Sequence, residues 1–341
     1  MTNDQTQPIR YHEPVLINEV LEGLNVREGG RYIDATIGDG GHSKGIMDRG
    51  GVVLGIDQDK EAIVRVSERL STEIEKGNLR VMQGNFSHIG DIVRENGFNQ
   101  VDGVLFDLGM SSYQIEESGR GFTFQKDEPL DMRMDRDLSV TAADLVNALG
   151  KRELTELFRR FGQVERAPLV AGKIVEERTR RPIVTTTQLV DLVSRVNPRR
   201  GRLHPATKVF MALRLAVNNE LGNLELALPQ ALSLLRPAGR LAAISFHEGE
   251  DRIVKGFFRR ESGRIDEIRP SPMQPTEEEI ARSPGSRSAR LRIGVTRAFA
   301  ERHVLGSVDE CEAISASAGC RPTTVIGATG LSPWGSTKGA N

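Results

Sequence analysis

From residue 31 to residue 107 the chain alternates short apolar runs with stretches of helical spacing, and nothing else in it narrows the fold so far. RYIDAT at 31–36 reads as a buried strand, followed by glycines and a helix from about Ser43. GVVLGID at 51–57 is a second apolar run, ending in an acid, and residues 60–70 place Ile63, Val66 and Leu70 on one helical face. LRVM at 79–82 is a third strand, residues 89–94 a helix, and VDGVLFD at 101–107 a fourth strand that again ends in an acid. Strands separated by helices and short loops form βαβ units, and so a mostly parallel, doubly wound sheet of the α/β class.

The alternation then stops. Residues 109–140 are polar, rich in Gly, Ser and Asp, and without a clear period. From Thr141 the spacing is helical, over 141–149, 152–161, 168–178 and 187–196, with Thr141 and Thr187 as expected N-caps and Gly150 as an expected C-terminal stop. The pattern predicts one long amphipathic helix over 207–235, a turn at 236–239, a fifth strand over 240–246, a helix over 250–259 and an edge strand over 290–295. The proline-bearing segment before that strand, with Pro270, Pro272 and Pro275, reads as loop. These readings divide the chain into a discontinuous α/β core at 1–110 and 206–300, an inserted helical domain at 111–205, and a Gly/Ser/Ala-rich tail at 301–341 that is expected to be poorly ordered.

Charge separates along the same lines. The formal net charge is −1, yet residues 159–214 hold thirteen Lys and Arg against four acids, and residues 282–302 hold six Arg and one Glu. Such asymmetry makes a basic face suited to phosphates, although solvated helix faces with internal ion pairs give the same composition. Arg178, Arg180, Arg181, Arg199, Arg200 and Arg202 are the candidate phosphate contacts. No apolar run approaches the roughly 18 residues of a membrane span, and the N-terminus shows no apolar signal segment. The only cysteines are Cys311 and Cys320, which cannot form a disulfide framework, and a reducing cytoplasm is the expected location. Nothing in the sequence calls for a metal.

The chemistry-bearing residues gather at the predicted strand ends. Gly38-Asp-Gly-Gly-His-Ser43 lies between the first strand and its helix, where glycines let the backbone approach a ligand and leave helix N–H groups free to donate. It is not a dinucleotide fingerprint, because Ser43 stands where a third glycine is needed, and this argues against a nicotinamide oxidoreductase. Asp57, sixteen positions after Gly41, can accept both hydroxyls of an adenosine ribose or cap the next helix. Asp34 can reach the glycine loop or a ligand ammonium, and Phe86 either lies against an adenine or packs in the core. Asp107 ends the fourth strand, and the carboxyl ends of such strands are where doubly wound sheets bind ligands.

Several longer strings carry a resemblance. They are His12-Glu-Pro-Val-Leu16, Tyr32-Ile-Asp-Ala-Thr-Ile-Gly-Asp-Gly-Gly-His-Ser43, Asp107-Leu-Gly-Met-Ser-Ser112, Arg120-Gly-Phe-Thr-Phe124, Pro129-Leu-Asp-Met-Arg-Met-Asp135, His204-Pro-Ala-Thr-Lys208, Ser245-Phe-His247, Glu250-Asp-Arg-Ile-Val-Lys255 and Arg287-Ser-Ala-Arg-Leu-Arg292. Over about residues 10–300 the chain resembles the bacterial 16S rRNA (cytosine-N4)-methyltransferase family. The resemblance implies a Rossmann-like class I methyltransferase core interrupted by a helical substrate domain, S-adenosyl-L-methionine as donor, and 16S rRNA in the assembled small ribosomal subunit as partner. It implies cofactor contacts from Gly40, Gly41, His42, Asp57, Phe86, Asp107 and Gln114, beside Asp34 and Gly38 from the reading above. It leaves open whether the protein is a monomer or a homodimer. Tyr113 stands where the family usually has Pro, Glu248-Gly249 where it has Ser-Leu, and Met211 where it has Gln.

Methyl transfer needs the nucleophile in line with the sulfonium methyl, roughly 3–3.5 Å from it. Cytosine N4 has a delocalised lone pair, and an acceptor for one of its protons would localise it. Asp107 is placed either for that or for the donor's ammonium. His204, His247 and Asp131 are further candidates. Phe122 and Phe124 either stack on an extruded base or pack internally. An RNA-binding assembly factor without catalysis would keep the basic segment but would not need Asp57 or Asp107.

Overall fold

The computed structural model describes residues 13–196 and 204–297. Helix α1 (Ile17–Gly23) precedes strand β1 (Arg31–Asp34), α2 (Gly41–Asp48), β2 (Val52–Asp57), α3 (Lys60–Arg69), α4 (Ser71–Glu75), β3 (Leu79–Gln83), α5 (Ile89–Glu95) and β4 (Val101–Asp107). The chain then runs through α6 (Ser112–Glu116), α7 (Ala142–Ala148), α8 (Lys151–Gly162), α9 (Ala167–Arg178), α10 (Thr186–Val196), α11 (Ala206–Val217) and α12 (Glu220–Leu234). It returns to the sheet at β5 (Leu235–Ser245), and continues through α13 (Glu248–Arg260), β6 (Ile265–Glu267), α14 (Glu277–Arg282) and β7 (Arg290–Thr296).

Seven strands form one sheet in the order β3-β2-β1-β4-β5-β7-β6. The first five run parallel, and β7 is antiparallel to both β5 and β6. This is the α/β, Rossmann-like architecture that the alternation predicts. Parallel strands covered on both faces read as continuous apolar runs, because alternate side chains serve opposite cores. Tyr32, Val53, Leu105 and Ala242 enter a core with α1 and α2, while Ile33, Leu54, Phe106 and Leu241 enter one with α5 and α12.

A third apolar core holds the helices between β4 and β5. Val146 of α7, Leu154 and Phe158 of α8, Ile174 of α9 and Leu189 of α10 are fully buried in it. Val209, Phe210 and Leu213 of α11 close the same core, so its packing extends past residue 205.

Four local expectations are corrected. The expected 207–235 helix breaks at Asn219, whose φ of 48° is left-handed and ends α11 against α12. Thr187 lies inside α10, which begins one residue earlier, whereas Gly150 directly follows Leu149, the C-cap of α7, as expected, and is also the N-cap of α8. The 236–239 turn is part of β5, where the register against β4 shifts between Val101 and Gly103. Strand β7 is not an edge: β6 covers it, and Arg292 is buried because Asp251 and Glu267 each accept from it at 2.7 Å. The tail at 301–341, with both cysteines, lies outside the described residues.

Candidate active site

At the centre of the sheet β1 has β2 on one side and β4 on the other, so the strand order reverses there. Loops leaving the two sides of such a switch point turn to opposite faces and open a crevice beyond the carboxyl ends. Asp34, Asp57 and Asp107 are the last residues of β1, β2 and β4. The fold therefore brings together acids that are far apart in sequence.

The glycine turn fills the gap between β1 and α2. Gly40 is the N-cap of α2 at φ 79°, and a Cβ there would stand 2.7 Å from the Leu70 side chain and 2.8 Å from that of Val66. Only glycine meets both conditions. Asp57 fastens this turn: its Oδ2 accepts from the Gly38 N–H at 2.9 Å and its Oδ1 from the Asp59 N–H at 2.9 Å. Burial raises the Asp57 carboxyl to about 6 against the pull of those two bonds. Asp34 accepts from the Ser43 hydroxyl at 2.7 Å and from the Thr36 N–H at 3.3 Å, and burial also raises its pKa.

His42 and Asp107 make the most demanding contact. The His42 ring is buried and its Nε2 lies 2.9 Å from the Val15 carbonyl, so Nε2–H must donate there. Nδ1 then faces Asp107 Oδ2 at 3.5 Å as one acceptor facing another, and the pair needs a proton between them. Burial raises the Asp107 carboxyl above the usual carboxylate range, with His42 pulling the other way. Asp107 Oδ1 is buried with no hydrogen-bond partner of acceptable geometry among the described residues. The backbone N–H of Asp107 donates to Thr36 Oγ1 at 2.7 Å and ties β4 to β1.

Other predicted residues have structural partners. Phe86 packs edge-on against Phe106 with centroids 5.7 Å apart, and stays half-buried beside the β3 end. Gln114 is buried in a capping box with Ser111, and its Nε2 donates to Asp59 Oδ2 at 3.0 Å. His247 is the N-cap of α13, with Nδ1 accepting from Gly249 N–H at 3.1 Å and Glu250 N–H at 3.4 Å. His204 precedes Pro205, the N-cap of α11, and its Nδ1 accepts from the Ala206 N–H at 3.2 Å. It stacks on Phe124 at 5.0 Å, which in turn meets Phe210 edge-on at 5.3 Å. Among the described residues, neither of these histidines is hydrogen-bonded or ion-paired to Asp107. Phe122 is buried in the helical core under the Arg120 guanidinium. Asp131 is held below the usual range, against burial, by bonds from Arg133 at 2.8 and 2.9 Å.

Of the basic candidates, Arg178 donates to the carbonyls of Val146 and Leu149, Arg180 pairs with Glu176, and Arg181 with Glu177. Those three have partners within the helical region itself, Arg180 and Arg181 through exposed ion pairs. Arg199, Arg200 and Arg202 lie outside the described residues. Of the departures from the family pattern, Tyr113 carries the Arg65 guanidinium over its ring at 3.7 Å, and Glu248 accepts from Gln163 at 3.4 Å.

Asp59, which the sequence pattern did not single out, joins the same crevice through its N–H bond to Asp57. It caps α3 through the Glu61 N–H, receives Gln114, and pairs with buried Arg120 at 2.5 Å. An acid directly before the helix at Lys60 was the available signal.

The sequence pattern of the MraW methylase family matches residues 10–297 of this chain. The chain belongs to that family. Ribosomal RNA small subunit methyltransferase H of Thermomicrobium roseum is 49% identical over 302 residues, spanning 82% of this chain and 92% of its own. The protein of the same name from Carboxydothermus hydrogenoformans is 41% identical over 309 residues, spanning 85% and 99%. An rRNA methylase of Streptococcus thermophilus superimposes with a TM-score of 0.41 at 10% identity, covering 83% of this chain and 96% of that one, so the fold assignment rests on the strand order described above.

The methyl donor is S-adenosylmethionine, and the crevice suits it. Asp34 is buried and Asp57 and Asp107 are half-buried, desolvation raises all three above the usual carboxylate range, and among the described residues Asp107 Oδ1 has no hydrogen-bond partner of acceptable geometry, a setting matched to a ligand bearing a sulfonium and an ammonium. Asp57 retains lone pairs for ribose hydroxyls, and its titration predicts opposite trends in binding and stability. The folded chain binds this proton more tightly than the unfolded one, so the group's contribution to stability is full below about pH 4 and is lost as pH rises through about 6. Donor affinity should instead fall as pH drops through about 6, because the acceptor is protonated. Calorimetric titration from pH 5 to 8 is expected to show that fall in the parent and a flat, weaker profile in Asp57→Asn. An equally steep profile in the variant would remove Asp57 from the donor site.

Proposed function

We propose that this chain transfers the methyl group of S-adenosylmethionine to the exocyclic N4 of a decoding-centre cytosine in 16S rRNA, acting in the cytoplasm on the assembled small ribosomal subunit. The observation that carries the reading is the His42–Asp107 pair at the switch point, with one carboxylate oxygen that has no hydrogen-bond partner of acceptable geometry among the described residues. A donor ammonium satisfies that oxygen, and the family and the names of the 49% and 41% identical relatives supply the substrate class.

In this reading the donor supplies the electrophilic methyl, and the chain binds, orients and excludes water. Asp57 and the glycine turn hold the nucleoside half, Phe86 borders the adenine, and Asp34, His42 and Asp107 hold the amino-acid half. Phe124 and His204 form a half-buried aromatic pair in the helical region, where an extruded base can stack. The helical residues between β4 and β5 serve as the substrate domain.

Mass mapping of small-subunit rRNA from a strain lacking the gene tests this. One decoding-centre cytosine should lose a methyl group and regain it on complementation. An unchanged methylation map would contradict the reading.

A further inference from the structure

The basic residues between β4 and β5 divide into two classes by their partners. Lys173 pairs with Glu176, and Arg178, Arg180 and Arg181 are engaged by helix-end carbonyls and by Glu176 and Glu177. On α8 the pattern differs. Lys151, Arg152, Arg159 and Arg160 are all exposed, and no carboxylate among the described residues pairs with any of them. Glu156 lies one turn from both Arg152 and Arg160, yet pairs with neither. The Arg160 guanidinium lies over the adjacent Phe161 ring at 5.2 Å.

Two of these charges are placed against the helix itself. Arg159 and Arg160 sit in the last turn of α8, where cations are favourable. Lys151 and Arg152 open its first turn, where the helix dipole disfavours a cation. The opposite face of α8 is fully engaged in the core through Leu154, Leu157 and Phe158, so the helix orientation cannot adapt. An exposed cation pair that opposes its own helix and takes no carboxylate partner among the described residues is matched to an anion outside the chain. By helix rise, Arg152 and Arg159 stand about 10 Å apart, so the two ends of the face can meet separate phosphates.

We infer that the exposed face of α8, through Lys151, Arg152, Arg159 and Arg160, docks the phosphate backbone of the substrate RNA. This rests on the rRNA reading above and adds to it where the RNA is held. The face reads charge and not sequence, so it positions the target without choosing the base.

The test uses the full-length protein, purified small ribosomal subunits and a salt series. Removing one cation that neutralises a phosphate should flatten the log–log salt dependence by about 0.7 on single strands and about 0.9 on a duplex. Lys151→Ala/Arg152→Ala is therefore expected to flatten the slope by about 1.4–1.8 and to weaken binding at low salt. Donor affinity should hold and Tm should stay level or rise, since the dipole clash is relieved. Arg159→Ala alone should flatten the slope by half as much, which keeps the inference testable should the double variant misfold. A double variant with the parent's affinity and slope would overturn the inference while leaving the methyltransferase reading intact. A parent that neither binds nor methylates the subunit overturns both.

Discussion

Replacing Arg120 with methionine is expected to destabilise the fold by about 3–5 kcal/mol, the cost of breaking a buried ion pair from one side. Arg120 is 3% exposed and donates to Asp59 Oδ2 at 2.5 Å and to the carbonyls of Arg133 and Met134 at 3.1 and 3.0 Å. Without it, Asp59 keeps, among the described residues, the Gln114 amide and the Glu61 N–H, and a buried carboxylate loses its cation. The damage should reach the donor site, because the Asp59 N–H donates to Asp57 Oδ1. Denaturant unfolding should therefore show a lower midpoint at unchanged slope, together with weaker donor binding. Arg120→Lys should rescue little, since an ammonium cannot span the same fork of acceptors. A destabilisation under about 1 kcal/mol for Arg120→Met, well below the cost of stranding a buried charge, would show that the network is not what joins the glycine crevice to the residues after β4.

Asp107→Asn should have the second large effect. The amide keeps the shape but removes the charge that an ammonium would meet, and charge-assisted bonds are worth about 1.5–3 kcal/mol. Donor Kd is expected to rise roughly 10- to 150-fold, the same range expressed as a ratio, with kcat at saturating donor changed much less. The opposite split, with donor Kd unchanged and kcat reduced by about 10²–10⁴, would assign the carboxylate to the cytosine amino group as a proton acceptor. In the variant the His42 Nδ1 no longer faces a carboxylate, so a shift of the ring's NMR signals checks that the pair is the group affected.

The core strands were legible because burial on both faces leaves little but apolar residues at Tyr32 and Ile33 on β1 or from Val104 to Phe106 on β4. Their terminal acids stood out against that background, and so did the glycine turn. What escaped the sequence depends on partners distant along the chain. Arg292 alternates with apolar neighbours as an exposed residue would, yet Asp251 and Glu267 bury it in a covered strand. Asn219 reads as an ordinary helical residue, and only its left-handed backbone separates α11 from α12. Arg120 reaches Asp59 across 61 positions, which no local pattern announces. His204 and His247 stand out in the sequence as chemistry, whereas each accepts backbone N–H groups at a helix start, a use of histidine that composition does not reveal.

The most direct measurement is a methyl-transfer reaction with purified protein, S-adenosylmethionine carrying a labelled methyl group, and small ribosomal subunits lacking the modification. The RNA is digested to nucleosides and the labelled product identified by mass. The account predicts label in N4-methylcytidine from a single decoding-centre position, with transfer at limiting donor sharply reduced in Asp107→Asn. Label in a different nucleoside, or none from a protein that binds the donor, would contradict it.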